Sequence, residues 1–478
     1  MIDRREVMEF AREFGLAPQV IEKDYVLGWM LAGIAAHPEI GASWVFKGGT
    51  CLKKCYFETY RFSEDLDFTL TDPAQLDENF LVTTFTQIAE WVYEQTGIEL
   101  PQETIRFDLY DNPRGNRSAQ GRVGYRGPMG RGGDAPRIKL DLTDDEVLVL
   151  QPAQRDVHHP YSDCPDVGMQ VSCYAFEEVF AEKIRALAER GRPRDLYDVV
   201  HLYRHDELRP DRAVIFSTLE QKCAFKGIAV PTMVSIANAP MRVELEADWA
   251  TMLAHQLPAL PPFEQLWQEL PSLFDWLHGI FAKVERAAIP VGGAGAIDDT
   301  WRPPAMSQAW HASTPLEIIR FAAANRLCVD LLYQGRSRLI EPYSLRRTKE
   351  GNILLYAVKH DSGEARSYRV DRIAGAQATQ TAFVPRYAVE LTPVGQISAP
   401  PVSRQSSSFP PPRVSRVRTG SRGVRRSPVS SGIKYVVECT YCGKKFTRNS
   451  YTTPLNPHKD KSGYPCPGRT GMYVDTKY

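Results

Sequence analysis

A glycine turn followed by a pair of aspartates, within Phe46–Leu70, constrains the fold of this chain more than any other feature. The turn, Lys47–Thr50, follows the apolar run Trp44–Phe46 and leads into a helical pattern. Two consecutive glycines let backbone amides approach an anion closely, and a helix that begins there favours negative charge. We therefore predict that the turn binds the phosphates of a nucleotide through Lys47, Gly48, Gly49 and Thr50.

The aspartate pair has the alternation of a strand. In Asp65-Leu66-Asp67-Phe68, the two aspartates share one face, and Leu66 and Phe68 point into a core. Two carboxylates on one rigid strand are costly unless a cation lies between them, and Mg²⁺ with nucleotide oxygens is the usual solution. Alone, a Gly-Gly pair is more often a simple turn and an Asp-x-Asp pair a solvated strand face. The prediction depends on both motifs occurring in this order.

The two motifs together resemble the nucleotidyltransferase superfamily of the DNA polymerase β type. KGGTxL followed by RFSEDLD is similar to the AbiEii/AbiGii toxin family, and segments at 21–27, 137–142, 177–190 and 192–198 extend the resemblance over about residues 15–205. The resemblance implies transfer of a nucleoside monophosphate from an NTP, often GTP, to a hydroxyl of RNA (tRNA) or of a protein. It also implies a toxin of a toxin–antitoxin pair or of phage defence, with a cognate antitoxin as a possible partner.

Further site residues come from these segments. Asp141, on a strand-like RIKLDL run, is the expected third carboxylate for Mg²⁺ or Mn²⁺, and Lys183, on a helix, is a point charge for phosphate oxygens. The alternative for Lys183 is a solvated surface lysine in a helical ion pair. Ser63 is expected on the strand face of Asp65. The predicted catalytic residues are Asp65, Asp67, Asp141 and Lys183, and the predicted nucleotide contacts also include Ser63 and Asp198.

Two aspartates at the next helix junction, Asp195 and Asp198, have open roles. They either pair with Arg192 or Arg194 to lock the junction or orient an acceptor. We expect the structural role for Asp195, whereas both roles stay open for Asp198.

Bulk composition restricts the function little. The chain has 478 residues, 43% of them hydrophobic, with 58 basic and 58 acidic side chains, which allows two to four domains and says nothing for or against nucleic acid. No apolar run near 18 residues and no signal-peptide pattern occurs, so we expect a soluble cytoplasmic protein without a membrane partner. Six of the nine cysteines are expected to be reduced and buried or idle: Cys51, Cys55, Cys164, Cys173, Cys223 and Cys328.

Composition also divides the chain. We expect a transferase region over 1–290 that closes with helical material at Phe263–Val284, and a second module over 313–393. A Ser/Pro/Arg-rich stretch follows at 394–432; its seven arginines and lack of acids predict a flexible basic linker. A last module spans 433–478. The predicted fold class is α+β multidomain: a polymerase β-like core with a helical part, a small SH3-like barrel and a zinc-bound tail.

The second module reads as one helix followed by short strands. Its motif order over 316–378 resembles a WYL domain, although Leu354-Leu355-Tyr356 stands where that family has Trp-Tyr-Leu. The resemblance implies an SH3-like barrel that senses nucleotide or nucleic-acid ligands, and guanidinium groups and aromatic rings suit both. The expected ligand residues are Tyr333, Arg338, Arg366 and Arg369, with Tyr368 and Arg372 nearby. A solvated basic strand edge is the alternative, and it suits Arg346, Arg347 and Lys349 better.

The tail carries a metal-ligand pattern, Cys439-x₂-Cys442 followed by His458 and Cys466. Three cysteines and one histidine complete a tetrahedral Zn²⁺ site, and so short a segment has too little apolar content to fold alone. A disulfide or free thiols are the alternative. Basic residues interleaved with aromatics make the tail a predicted nucleic-acid contact, or else a contact for a partner protein.

A second class of function remains open at this point. The WYL module, the arginine linker and the zinc tail also suit a nucleic-acid-binding regulator whose transferase domain binds a nucleotide without turnover. Three carboxylates kept together favour the enzyme, because a pure binder has no need of them.

Overall fold

The computed structural model describes residues 1–111, 115–130, 135–205, 210–237, 239–290, 296–298, 300–301 and 315–391, and towards the C-terminus 434–439, 442, 444–448, 455–459, 465–469 and 471–477. The chain forms two compact units, Met1–Ser403 and Arg404–Tyr478. The predicted linker at 394–432 lies outside the described residues.

The first unit is built around a seven-stranded mixed sheet with the strand order β3-β4-β5-β2-β1-β7-β6. Its strands are β1 (Trp44–Lys47), β2 (Asp65–Leu70), β3 (Arg106–Asp111), β4 (Arg117–Gly124), β5 (Arg137–Thr143), β6 (Ala153–Asp156) and β7 (Gln170–Cys173). The pairs β2·β5 and β1·β7 are parallel, and the others are antiparallel. Leu66 and Phe68 of β2 are buried with Leu140 of β5, which leaves the aspartates on the opposite face.

Helices cover this sheet and extend the unit. They are α1 (Arg4–Phe14), α2 (Pro18–Ala36), α3 (Gly48–Cys51), α4 (Glu78–Thr96), α5 (Phe176–Arg190), α6 (Pro193–Arg204), α7 (Arg212–Lys226), α8 (Met233–Ile236), α9 (Ala239–Leu253), α10 (Phe263–Trp267) and α11 (Leu270–Leu277). A π-helical turn, Leu52–Tyr56, continues α3. Local signals set several ends: Asp77 caps α4, whose C-terminal Gly97 is left-handed. The expected helix over Phe263–Val284 is interrupted between α10 and α11 and stops at Leu277.

None of the helices among the described residues is long and apolar enough to cross a membrane.

The WYL-like region of the first unit begins with α12 (Leu316–Ala324). Five antiparallel strands follow, in the spatial order β11-β10-β9-β8-β12. They are β8 (Leu327–Tyr333), β9 (Arg336–Arg347), β10 (Ile353–Lys359), β11 (Ala365–Arg369) and β12 (Ile373–Ala382). The two end strands are joined by a single 3₁₀ turn, Val370–Arg372, so the sheet has to curl until its ends meet, as in a small SH3-like barrel.

The second unit is small and all-β in its described part. A three-stranded sheet has the order β14-β13-β17, and a two-stranded ladder pairs β15 with β16. The strands are β13 (Lys434–Cys439), β14 (Lys445–Arg448), β15 (His458–Lys459), β16 (Pro465–Cys466) and β17 (Gly471–Lys477).

Candidate active site and metal centres

The three predicted carboxylates lie together on one face of the seven-stranded sheet. The parallel register of β2 and β5 places Asp67 directly opposite Asp141. Asp65, two residues before Asp67 on β2, lies on the same face. From β4, Gln120 donates a hydrogen bond to Asp141 Oδ1 over 3.3 Å. Strand pairing therefore creates a row of acceptors that the positions in the sequence do not reveal directly.

Crowding of these carboxylates affects their protonation. Burial, then the neighbouring Asp141, raise the pKa of Asp67 to about 6, against the opposing effect of Lys47. Burial also raises the pKa of Asp65. A cation between the carboxylates would remove this repulsion, and an all-oxygen donor set is the kind that Mg²⁺ or Mn²⁺ takes. The donor set therefore fits the divalent metal that the sequence predicts.

The glycine turn fits closely against these carboxylates. Gly48 has φ +81°, and a methyl group there would lie 2.8 Å from Asp67 Cγ and closer still to its Oδ2. A methyl group on Gly49 would lie 3.2 Å from Arg61 Cζ. Thr50 Oγ1 donates to the backbone oxygen of Asp65, which ties the turn to the first residue of β2. Only glycine allows the turn to approach the face of the three carboxylates at this distance.

An open cleft of about 380 Å³ adjoins this face. Lys47 is 8% exposed at its edge, and its Nζ lies 3.7 Å from Glu182 Oε1 of α5. The contact between Lys47 and Glu182 was not predicted from the sequence, because 135 positions separate the two residues. Other residues line the cleft, in particular Tyr110, Ser118, Thr143, Asp145, Glu146, Glu189 and Lys226.

Lys183 belongs to a buried cluster of charges beside this site. Its Nζ lies 2.8 Å from Asp198 Oδ2 and 3.5 Å from Asp195 Oδ1. Asp198 is fully buried and also accepts from Arg61 Nε and Nη2, each over 2.7 Å, and from the hydroxyl of Tyr60. Burial alone would raise the pKa of Asp198, but Arg61 and then Lys183 outweigh it and lower the pKa. Lys183 is thus a buried, ion-paired lysine and not a solvated one.

The partners of the two aspartates differ from the expected ones. Asp195 receives two hydrogen bonds from Arg190, of 2.8 and 2.9 Å, and Asp198 pairs with Arg61, whereas Arg192 or Arg194 were expected. Arg61 comes from the loop before β2, so its pairing depends on tertiary packing. The direct contact between Asp198 and the nucleotide remains a prediction. In the structure, the Asp198 carboxylate is paired with Lys183 and Arg61.

Ser63 lies off the strand on which it was expected. Strand β2 begins at Asp65, so Ser63 is in the preceding loop and does not extend the face of the aspartates. Its hydroxyl is nevertheless next to the glycine turn, because a methyl group on Gly49 would lie 3.2 Å from Ser63 Oγ. The contact of Ser63 with the nucleotide therefore remains a prediction, and it now depends on the position of Ser63 beside the glycine turn.

In the WYL-like region, Arg338 and the tyrosines lie close together. The Arg338 guanidinium lies 5.5 Å from the Tyr333 ring centroid, and the Tyr333 and Tyr368 rings meet edge to face at 5.1 Å. Arg366 pairs with Glu364, and Arg369 pairs with Asp371. Arg366 and Arg369 are three positions apart on β11, so they point to opposite faces and do not form one basic surface.

The four predicted zinc ligands converge in the second unit. Each residue offers one ligand atom, a cysteine sulfur or a histidine ring nitrogen, and these atoms of Cys439, Cys442, His458 and Cys466 all lie within 4.8 Å of one another. Cys439 Sγ is 3.8 Å from Cys466 Sγ, and a tetrahedral Zn²⁺ with bonds of about 2.3 Å separates two sulfurs by about that distance. His458 Nδ1 lies 3.0 Å from Asn456 O; a proton there leaves Nε2 free for metal. The donor set fits zinc.

Three core cysteines, expected to be idle, also form a group. Cys51, Cys55 and Cys173 are fully buried, and their sulfurs lie within 4.8 Å of one another. Cys51 and Cys55 are one turn apart on the α3–π segment, which is a spacing that could have suggested their proximity, whereas Cys173 reaches them from β7.

The chain matches the family described as "Nucleotidyl transferase AbiEii toxin, Type IV TA system" over residues 29–273, just over half of its 478 residues. Residues 315–378 match the WYL domain. No curated protein matches the chain.

Two solved structures are similar to the chain at low identity. MenT4, a nucleotidyltransferase toxin from Mycobacterium tuberculosis H37Rv, is 18% identical with a TM-score of 0.38, and the match covers 59% of this chain and 91% of that one. JHP933 from Helicobacter pylori is 18% identical with a TM-score of 0.36, with coverage of 55% and 94%. On its family match, the chain belongs to the AbiEii nucleotidyltransferase toxins and carries a WYL domain after its transferase region.

Proposed function

We propose that this protein is a toxin that transfers a nucleoside monophosphate from an NTP to a hydroxyl of RNA or of a protein. The main support is the pairing of Asp67 with Asp141 across parallel strands, with Asp65 on the same face and Gly48 packed against Asp67. GTP as donor and tRNA as acceptor are preferred on the family resemblance alone.

Asp65, Asp67 and Asp141 would hold Mg²⁺ or Mn²⁺. When bound, such ions activate the attacking hydroxyl and neutralise charge on the leaving pyrophosphate. The chain's own contribution is positioning. The turn at Gly48 and Gly49 packs against the same face, and Lys47 adds a positive charge to the lining of the cleft.

Lys183 is proposed to contact phosphate oxygens from α5. Its side chain is 8% exposed and is held between Asp198 and Asp195, which restricts its position. Charged groups held in place before substrate arrives require little rearrangement in the transition state. Asp198 is therefore proposed to act on the nucleotide through Lys183 and Arg61.

The zinc-binding tail and the WYL region are proposed to contact other molecules. Arg338 stacked against Tyr333 suits a nucleotide or nucleic-acid ligand. The Cys₃His group would hold Zn²⁺ as a structural ion that stabilises a short module with little core. A cognate antitoxin is a further proposed partner.

The test is incubation of the purified full chain with each α-³²P-labelled NTP, Mg²⁺ and total cellular RNA. The wild type is compared with Asp65→Ala/Asp67→Ala and with Asp108→Ala, an exposed carboxylate at the edge of the same sheet. We expect label on RNA or protein with the wild type and Asp108→Ala only. Equal labelling by the double variant contradicts the proposal, and nucleotide binding without labelling by any variant favours a regulator.

A further inference from the structure

The helix α12 lies between the WYL sheet and the transferase region. It packs against β8 and β12 on one side and against α1 on the other. All nine of its residues are buried, Leu316 to Ala324. A helix buried all round is a central element, so α12 belongs to the packing of both regions.

Two charged side chains of α12 are buried at this junction. Glu317 is 2% exposed and Arg320 is fully buried, with 3.0 Å between Glu317 Oε1 and Arg320 Nη1. Thr59 Oγ1 of the transferase region donates to Glu317 Oε2 over 3.4 Å. Burying charge is costly unless its partners are held in position, so Glu317 restricts how the two regions pack.

Lys53 connects the junction to the glycine turn. It follows Gly48 and Gly49 on the same continuous helical segment, and its Nζ donates to the backbone oxygen of Glu58. Lys53, Thr59 and Glu317 line one small cavity between α12 and the transferase region. Burial lowers the pKa of Lys53 to about 8, with Asp24 and Glu317 opposing this shift.

The loop at 57–63, contacted by Glu317, also supports the nucleotide site. Two residues beyond Thr59, Arg61 makes the paired hydrogen bonds to Asp198 and lies directly behind Gly49. Asp198 in turn holds Lys183. One short loop therefore connects the WYL helix to both the glycine turn and the proposed phosphate-binding lysine.

A second set of contacts fixes the other end of α12. Arg204 of α6 donates to the backbone oxygen of Ala324 over 3.3 Å, and Gln265 donates to that of Asn325 over 3.0 Å. Because α6 also carries Asp198, both ends of α12 contact elements that position Lys183.

We propose that Glu317 of the WYL region is a positioning residue for nucleotidyl transfer. It holds the loop at 57–63, and through Arg61 and Asp198 it sets the geometry of the glycine turn and of Lys183. The transferase site is then complete only with α12 docked. This inference rests on the proposed function.

The test compares full-length wild type, Glu317→Ala, Glu317→Gln and Glu350→Ala, the last an exposed carboxylate of the WYL region. Label transfer and backbone hydrogen exchange are measured well below the unfolding temperature. For Glu317→Ala we expect kcat/KM to fall about tenfold, together with faster exchange at 57–63 and unchanged exchange in β10. Glu317→Gln keeps one acceptor oxygen, which can serve either Thr59 or Arg320, so it should recover part of the loss. Glu350→Ala should behave as the wild type.

Unchanged exchange at 57–63 in a folded Glu317→Ala variant overturns the inference, as does full activity. If Glu317→Ala does not fold, Glu317→Gln is compared with the wild type instead and should show smaller changes in the same direction. Wild-type activity and wild-type exchange at 57–63 in Glu317→Gln then overturn the inference. If the wild type itself labels nothing, the proposed function fails, and the exchange measurement alone then decides whether Glu317 positions the loop.

Discussion

Single residues decide how closely the glycine turn can approach the face that carries Asp65, Asp67 and Asp141. Gly48 combines a left-handed backbone with direct packing against Asp67, so both its conformation and its lack of a side chain are required. Gly97, at the C-terminal end of α4, has the same φ of +81°. Beyond its immediate neighbours, however, nothing in the described part of the chain lies within 4 Å of the position that a methyl group would take there.

We therefore predict different outcomes for alanine at these two glycines. Gly97→Ala should cost only the strain of a left-handed residue, about 1 kcal/mol, and leave transfer activity intact. Gly48→Ala carries the same strain and must also displace Asp67, so it should abolish label transfer. Thermal unfolding and labelling rates measure both effects, and an active Gly48→Ala variant would contradict the arrangement of turn and carboxylate.

Glu13 at the end of α1 makes stability depend on pH. Burial, then the nearby Glu317, raise the pKa of Glu13 to about 7. A carboxyl group whose pKa is raised in the folded state makes its full contribution to the free energy of unfolding at pH values below its unfolded-state pKa. This contribution is lost as pH rises through about 7.

Glu13→Gln should therefore gain stability relative to the wild type between about pH 5 and about pH 8. Allowing for partial exposure, we expect a relative gain of about 1–2 kcal/mol, measured by urea unfolding. Glu9→Gln, on the exposed side of the same helix, is the control and should show no such change. An equal difference between Glu13→Gln and wild type at both pH values would contradict burial as the cause.

Residue-level prediction succeeded where alternation along a strand was enough. It placed Asp65 and Asp67 on one face of β2, opposite the core, and Asp141 on the neighbouring strand. The ion pair between Lys183 and Asp198 could not be predicted, because it joins two helices across a turn and needs Arg61 from a distant loop.

At the scale of elements, α5, β5 and the WYL strands follow their sequence periodicity. The divergence of Arg366 and Arg369 also follows from alternation, since three positions on a strand reverse the side. The end of the helical region at Leu277 was not predicted, because apolar residues beyond it, such as Phe281, are exposed. Neither was the docking of α12, which depends on contacts between regions far apart in the chain.

The C-terminal strands provide an element-scale prediction about metal. We expect the purified chain to hold about one zinc per molecule, and Cys439→Ser should lose it, because a thiolate ligand is removed. Cys164→Ser, at a half-buried cysteine outside both clusters, is the matched control. Elemental analysis of both variants measures the effect; full zinc retention by Cys439→Ser would assign the metal elsewhere, with Cys51, Cys55 and Cys173 as the next group to replace.

At the scale of the whole molecule, the first unit joins the transferase and WYL regions through α12, and the second unit is compact by itself. The seven-stranded sheet supplies the carboxylates, and α5 and α6 supply the cluster around Lys183. The helix α12 packs against the WYL sheet and also contacts elements that hold this cluster. The ligand recognition proposed for one region and the chemistry proposed for the other thus share a structural connection.

The most direct test of the central claim is the rate of NTP-dependent label transfer by Asp141→Asn. This variant keeps the shape and the hydrogen bond from Gln120 to the Oδ1 position but removes the charge opposite Asp67. With Asp108→Asn as the control, we predict a loss of about 100-fold or more for Asp141→Asn and none for the control. A folded Asp141→Asn variant that transfers label at the wild-type rate would contradict the assignment of this carboxylate row as the catalytic site.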